Sequence, residues 1–349
     1  MNVGFKKTVL VGHRWAGLTI GLAAAFLALT GLTMAFRAQL EPQVDARFLD
    51  RTPCDARLPL DTLVAHAKAA HPGKALQRIE VPDIRTAATV VRFADREGVY
   101  LDACSGEVLG QRSPWGGFFG FIEMTHKLRW ITEDGDVTEK IGSTIAMLVV
   151  LMACGGLFLA WPASRRALNM IVKPRLKPGN RAFDLLLHRS VGCYVFIVVV
   201  TSMVCSLSFT VPPPPTKPPA RGPGNALSLE QFLQKMRALV PDLRTAQLTP
   251  PRKQGQSFEV YAVERGAPHA YARSYAWFEP ATGETLRFEP YADSSAANKA
   301  WRWMSALHTA RAGILPQIVL FMGILGVPVL AFTGLRSFLR TRRATGEKP

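Results

Sequence analysis

The segment Leu10–Gly31 reads LVGHRWAGLTIGLAAAFLALTG, an apolar run with a histidine and an arginine set into its start. A run of this length matches the ~20 residues that cross a ~30 Å hydrocarbon core. Four uncharged stretches of that kind occur: Trp15–Phe36, Ile141–Trp161, Leu185–Val211 and Ile314–Leu335. Composition agrees, since the 349 residues are 48% hydrophobic with a formal net charge of +16 and a mean hydropathy of +0.11. That is a membrane composition. The first stretch follows Lys6, Lys7 and Arg14 as a signal peptide would, but it exceeds a ~7–15-residue signal core and lacks a small-residue cleavage site. It reads as an uncleaved helix.

Orientation follows from unbalanced basic residues. Pro162–Arg181 carries Arg165, Arg166, Lys173, Arg175, Lys177 and Arg181 without an acid, and the tail carries Arg336, Arg340, Arg342, Arg343 and Lys348 against Glu347. The positive-inside rule makes both cytoplasmic. The two long connections then lie on the opposite face, which for a bacterial inner membrane is the periplasm. The basic charge is thus a topology signal, and no basic stripe with a recognition motif supports a nucleic-acid partner.

An internal repeat organises the chain. HRWAG (His13–Gly17) recurs as HRSVG (His188–Gly192), and LPLDTLVAHAKAAHP (Leu58–Pro72) aligns with LSLEQFLQKMRALVP (Leu227–Pro241). YLDACSGEVL (Tyr100–Leu109) aligns with WFEPATGETL (Trp277–Leu286), and the segment with His126 answers the one with His308. The offsets are 175, 169, 177 and 182 residues. Two spans per half restore one orientation, so the expected fold is membrane α-helical, four transmembrane helices as two parallel-related repeats.

Each repeat carries a small α+β periplasmic domain. Leu60, Leu63, Val64 and Ala67 fall at helical spacing before Pro72, and Ser228 with Gln231 is a capping-box start. ATVVRF, EGVYLD, SFEVYAV and SYAWFEP read as strands, with turns at Ser105-Gly106-Glu107 and Thr282-Gly283-Glu284. The Pro-rich Val211–Gly224 reads as a stiff tether. The chain therefore divides into transmembrane helix 1 (1–40), periplasmic domain 1 (41–113), an interfacial helix with transmembrane helix 2 (114–165), a cytoplasmic loop (166–183), transmembrane helix 3 (184–211), tether and periplasmic domain 2 (212–296), and an interfacial helix, transmembrane helix 4 and cytoplasmic tail (297–349).

GHRWAGL, YLDACSGEVLG, LHRSVG and LHTARAGILPQ, in that order, resemble the PepSY-associated transmembrane family of iron-regulated inner-membrane proteins, which includes di-haem ferric-siderophore reductases. The resemblance covers nearly the whole chain and makes the two domains PepSY-like. Two departures stand out. The second span ends in GGLFLAWP where the family commonly has a Thr-Gly pair, and WITEDGDVTEKIG inserts an acidic stretch after His126. The resemblance implies two haem b groups, an Fe(III)-siderophore substrate reduced to release Fe(II), and a cytosolic or quinone-pool electron donor. It leaves monomer and homodimer open.

Read from the residues alone, the seven histidines fall into two kinds. His66, His71 and His269 lie in the polar domains and read as solvated surface, while His13, His126, His188 and His308 sit at or just before spans, in matched pairs. Intramembrane ionisable residues mark function, although interfacial rings meeting headgroups are the alternative. His13 and His188 begin outward-running helices; His126 and His308 precede inward-running ones. Two bis-histidine sites follow, one near each face, suited to axial ligation of haem iron by neutral imidazoles.

Gly17, Gly21 and Gly192 share helix faces with their histidines, leaving room for a flat macrocycle or serving close helix packing. Arg14, Arg189, Lys127 and Arg311 lie near candidate ligands and would pair with haem propionates, or act as interfacial anchors. Trp115–Trp130 and Trp301–Gly313 are too short to span and read as interfacial helices, with Trp130, Trp301 and Trp303 as an aromatic belt. Cys54 and Cys104 share a compartment that permits a disulfide, whereas Cys154, Cys193 and Cys205 read as packing residues within spans. No dinucleotide fingerprint, P-loop, nucleophile elbow or HExxH occurs. Tyr271, Tyr275, Trp277 and Tyr291 are the candidate chelate contacts. Two other classes remain: a haem-free regulator that binds peptide, and a metal or siderophore transporter using the four histidines.

Overall fold

A computed structural model describes residues 3–49, 56–82, 88–174, 181–210, 218 and 227–345. Eleven helices are labelled in chain order among them: α1 (Val3–Ala35), α2 (Arg37–Val44), α3 (Ala46–Leu49), α4 (Leu60–Ala70), α5 (Gly117–His126), α6 (Gly135–Ala160), α7 (Arg165–Val172), α8 (Arg181–Ser206), α9 (Leu229–Leu239), α10 (Ala296–His308) and α11 (Ile314–Thr345). The chain forms two compact units. A membrane unit comprises Met1–Phe36, Ile122–Pro212 and Leu307–Pro349; a sheet unit comprises Arg37–Phe121 and Pro213–Ala306.

Four helices of the membrane unit are long and apolar enough to span, matching the four expected stretches. They pack as a ring in which α1 and α8 each lie against both α6 and α11. Small and branched side chains fill its centre: Ala24, Ala28, Val149, Val199 and Ile324. The bounds differ from expectation where polar residues join a helix. α1 starts at Val3, so His13 lies ten residues into it, roughly 15 Å from its start rather than in the first turn. Lys6 and Lys7 are tolerated there because long cationic side chains extend toward water while their stems cover the helix. α6 starts at Gly135, capped by the Asp134 side chain, which accepts from the backbone N–H of Asp136 and Val137. The inserted acidic stretch is therefore the N-terminus of a membrane helix, where carboxylates meet free N–H groups and the positive dipole end.

Eight strands make the sheet unit: β1 (Leu76–Val81), β2 (Thr89–Phe93), β3 (Gly98–Leu101), β4 (Val108–Arg112), β5 (Leu243–Thr249), β6 (Phe258–Glu264), β7 (Arg273–Phe278) and β8 (Thr285–Glu289). Their order is β4-β3-β2-β1-β5-β6-β7-β8, antiparallel throughout. The expected strands correspond to β2, β3, β6 and β7; the expected turns carry Gly106 and Gly283 at φ +74 and +66, where glycine is the low-strain choice. The two segments read from sequence as separate domains share this one sheet. β1 and β5 join them through Ile79↔Leu248, Glu80↔Gln247 and Val81↔Ala246, which covers two edges that would otherwise present unpaired backbone groups.

One sheet face is apolar and packs on α4 and α9 around Leu63, Ile79, Phe93, Phe232, Leu248 and Phe278. The two helices cap each other. Asp61 accepts from the N–H groups of Leu229 and Glu230, and Glu230 accepts from the N–H of Leu60. The expected capping box at Ser228 and Gln231 is present as well. The opposite face alternates arginine with aromatic rings: Arg273 lies 4.4 Å over Tyr261 and Arg287 4.6 Å over Trp277.

Among the cysteines, Cys154, Cys193 and Cys205 are free, with Cys154 exposed. Cys104 is disulfide-bonded; its expected partner Cys54 lies outside the described residues, as does the tether apart from residue 218.

Candidate functional site

The bundle brings the four span-associated histidines together in the expected pairs, at opposite ends. His13 on α1 faces His188 on α8 with ring centroids 6.2 Å apart, and His126 faces His308 at 6.4 Å. An imidazole nitrogen binds a first-row metal at about 2.0–2.1 Å and the ring centre lies about 1.1 Å behind it, so trans rings on one ion sit about 6.3 Å apart. Both pairs match that spacing. His13 and Leu27 are fourteen residues apart on α1, as are His188 and Ser202 on α8, which sets the two pairs roughly 21 Å apart along the bundle.

Each ring is oriented by a neighbouring helix in the same way. His13 Nδ1 contacts the Met152 carbonyl at 3.2 Å, His126 Nδ1 that of Leu27 at 3.1 Å, His188 Nδ1 that of Leu330 at 3.1 Å, and His308 Nδ1 that of Ser202 at 3.0 Å. A carbonyl only accepts, so each Nδ1 carries the proton and each Nε2 lone pair is left on the far side of the ring. That tautomer is what a metal-ligating histidine requires. Thr30 and Thr333 add hydroxyl acceptors at 2.9 and 3.0 Å to His126 and His188. Their own protons go to backbone carbonyls of the preceding turn, so a lone pair faces the ring.

Four residues beyond three of the accepting carbonyls the helix is notched by a glycine. A methyl group on Gly156 would lie 2.9 Å from His13 Cε1, one on Gly31 3.3 Å from His126 Cε1, and one on Gly334 3.4 Å from His188 Cε1. The seats follow one six-residue spacing four times: LALTGL (27–32), MACGGL (152–157), SMVCSL (202–207) and LAFTGL (330–335). Its first residue accepts from Nδ1, its fourth supplies or lacks a hydroxyl, and its fifth is glycine or serine. The GG of the second span thus stands where two other spans have Thr-Gly. The near-identity of LALTGL and LAFTGL is the signal that was there to be read in the sequence.

A cavity of 670 Å³ opens at the His13/His188 end, within the ~300–1,000 Å³ typical of cofactor sites. Gly17, Gly21 and Gly192 line it, and so do Arg14, Arg189 and Lys6, the last missed in the sequence. Arg189 also donates to the Ala160 carbonyl. At the other end Lys127 is ion-paired with Glu123 at 2.5 Å, one helical turn away, and Arg311 is exposed. Both α5 and α10 end on their histidine, and the residue two further, Leu128 or Ala310, has positive φ (56 and 57).

Of the polar-domain histidines, His66 is exposed and His71 pairs with Asp95 at 2.8 Å. His269 corrects the surface reading: it is 5% exposed, with its ring 4.6 Å from Trp303. Its Nδ1 accepts from the Tyr271 N–H and its Nε2 meets Tyr291 Oη at 3.1 Å. Tyr and Trp neighbours of this kind supply partners that a lone sequence position does not reveal. Among the candidate chelate contacts, Trp277 is fully buried, while arginines lie over the rings of Tyr271, Tyr275 and Tyr291.

Among the described residues, no group of three or more His, Cys, Asp or Glu converges as a metal site. No curated protein sequence matches the chain. A family model for the PepSY-associated TM region matches residues 11–341, nearly the whole chain, and the protein belongs to that family.

Proposed function

We propose that this protein is a di-haem b electron carrier of the bacterial inner membrane that reduces an Fe(III)-siderophore in the periplasm and so releases Fe(II). The observation that carries the reading is the pair of facing histidines repeated at both ends of the bundle, spaced at 6.2 and 6.4 Å. With two facing histidines per site and, among the described residues, no third His, Cys, Asp or Glu converging on them, the arrangement favours an ion whose other four positions a macrocycle fills. That argues against a zinc or copper transporter, which needs more protein donors.

Haem, when bound, supplies one-electron exchange at its iron. His13 and His188 would hold one group, His126 and His308 the other, each through Nε2. Arg14, Arg189 and Lys6 would pair with propionates at the larger cavity. The bundle centre between the sites is lined by apolar side chains, Ala24, Ala28 and Val149 among them, and the matched histidine seats support two parallel repeats. The electron donor is cytosolic or in the quinone pool. The two long connections are periplasmic on the positive-inside reading, so the ferric chelate would be reduced on that side of the membrane.

A reduced-minus-oxidised spectrum with haem quantitation tests this. The expected result is two haems per chain, falling to about one in His13→Ala and in His308→Ala. A protein without a Soret band would instead be a regulator, and stoichiometric zinc or copper without porphyrin a transporter.

A further inference from the structure

His13 has fewer anchoring contacts than its three counterparts, and a groove lies beside it. Among the described residues its ring has one anchoring hydrogen bond, to the Met152 carbonyl at 3.2 Å. His126 and His188 each have a second acceptor in a threonine hydroxyl, and the helix position that supplies it is Gly155 beside His13. His13 also lines a second space, a 210 Å³ groove between α1 and α6 bounded by Gly12, Ala16, Ile20, Leu151 and Gly155. A methyl group on Gly12 would meet nothing within 4 Å, and one on Gly155 only Val9 Cγ1 at 3.8 Å. The ring is held by a single contact to α6, and the groove that Met152 also lines leaves open space beside it.

We propose that His13 is an exchangeable ligand: its ring swings into the α1–α6 groove and opens a coordination position opposite His188 for a small neutral π-acceptor such as carbon monoxide. The inference rests on the haem reading above. In the exchange the bond from iron to His13 Nε2 breaks and a bond from iron to carbon forms; no electron or proton is transferred. His188 stays in place because Leu330 and Thr333 both hold its Nδ1. The His126/His308 pair keeps both ligands, since Thr30 reinforces His126 and His308 has the shortest carbonyl contact of the four, with the Ser202 hydroxyl 3.5 Å away.

Carbon monoxide titration of the dithionite-reduced protein, with haem quantified on the same sample, tests the proposal. One of two haems is expected to bind the gas. Gly155→Thr, which supplies the hydroxyl and fills the groove, is expected to weaken that binding about ten- to hundredfold, and Gly155→Ala, which only fills space, to weaken it less. His13→Ala, which is expected to lose the haem held by this pair, should lose the gas binding with it. Two haems with no carbon monoxide binding, or binding that Gly155→Thr leaves unchanged, overturns the inference while the di-haem reading stands. Absence of haem overturns both.

Discussion

At the scale of single residues, the four ligand candidates show how a helix makes a seat for a ring. A carbonyl that already serves the helix ladder accepts a second hydrogen bond, and for His13, His126 and His188 a glycine one turn later removes the Cβ that the ring would strike. The hydroxyl at the intervening position decides how firmly Nδ1 is held. His269 illustrates the opposite use of the ring. Burial, and then the Arg302 guanidinium, hold its pKa below the ordinary ~6.5. As pH falls, the unfolded chain therefore takes up the proton first, so the stability His269 contributes is complete above about pH 6.5 and declines below it. His269→Gln should flatten the fall in stability between about pH 6.5 and 5, measured by urea unfolding of the detergent-solubilised protein. An unaltered slope would show that the ring stays neutral for another reason.

At the scale of elements, helix ends carry the arrangement. α5 and α10 each stop on a histidine because the chain turns into a positive-φ residue two positions later, which fixes the ring at the helix C-terminus. α4 and α9 start with acids that satisfy the other helix's free N–H groups rather than their own. Asp61→Ala should cost about 1–2 kcal/mol, read as a lower urea midpoint, while Asp61→Asn, which keeps an acceptor, should cost less. Equal effects of the two variants would mean that the charge, not the hydrogen bond, is what matters.

At the scale of the whole molecule, the eight-stranded sheet makes two sequence segments interdependent. Leu248 is fully buried at the β1–β5 joint, and its neighbours come from both segments. Leu248→Ala should cost about 2–5 kcal/mol and lower hydrogen-exchange protection in β1–β4 as well as β5–β8. Loss confined to β5–β8 would mean that the two segments fold separately. In the membrane unit the same logic applies to the ring of four helices: each histidine depends on an acceptor from a different helix, so one displaced helix disturbs a ligand it does not carry.

Hydropathy, local spacing and unbalanced charge determined the spans, because a membrane helix must be apolar along its whole length and the rule is local. The same holds for the capping box at Ser228, the turns at Gly106 and Gly283, and the pairing of His13 with His188 and His126 with His308, which needs only the count of crossings. Ring spacing, the Nδ1 acceptors on partner helices and the burial of His269 were not legible. Each depends on residues distant in sequence: 34 positions between His269 and Trp303, 142 between His188 and Leu330, and 182 between His126 and His308. Only the tertiary structure also decided that two segments with separate helices and strands would join at β1 and β5. A strand edge has no sequence signature beyond its own alternation, and its partner is chosen by the burial that pairing achieves.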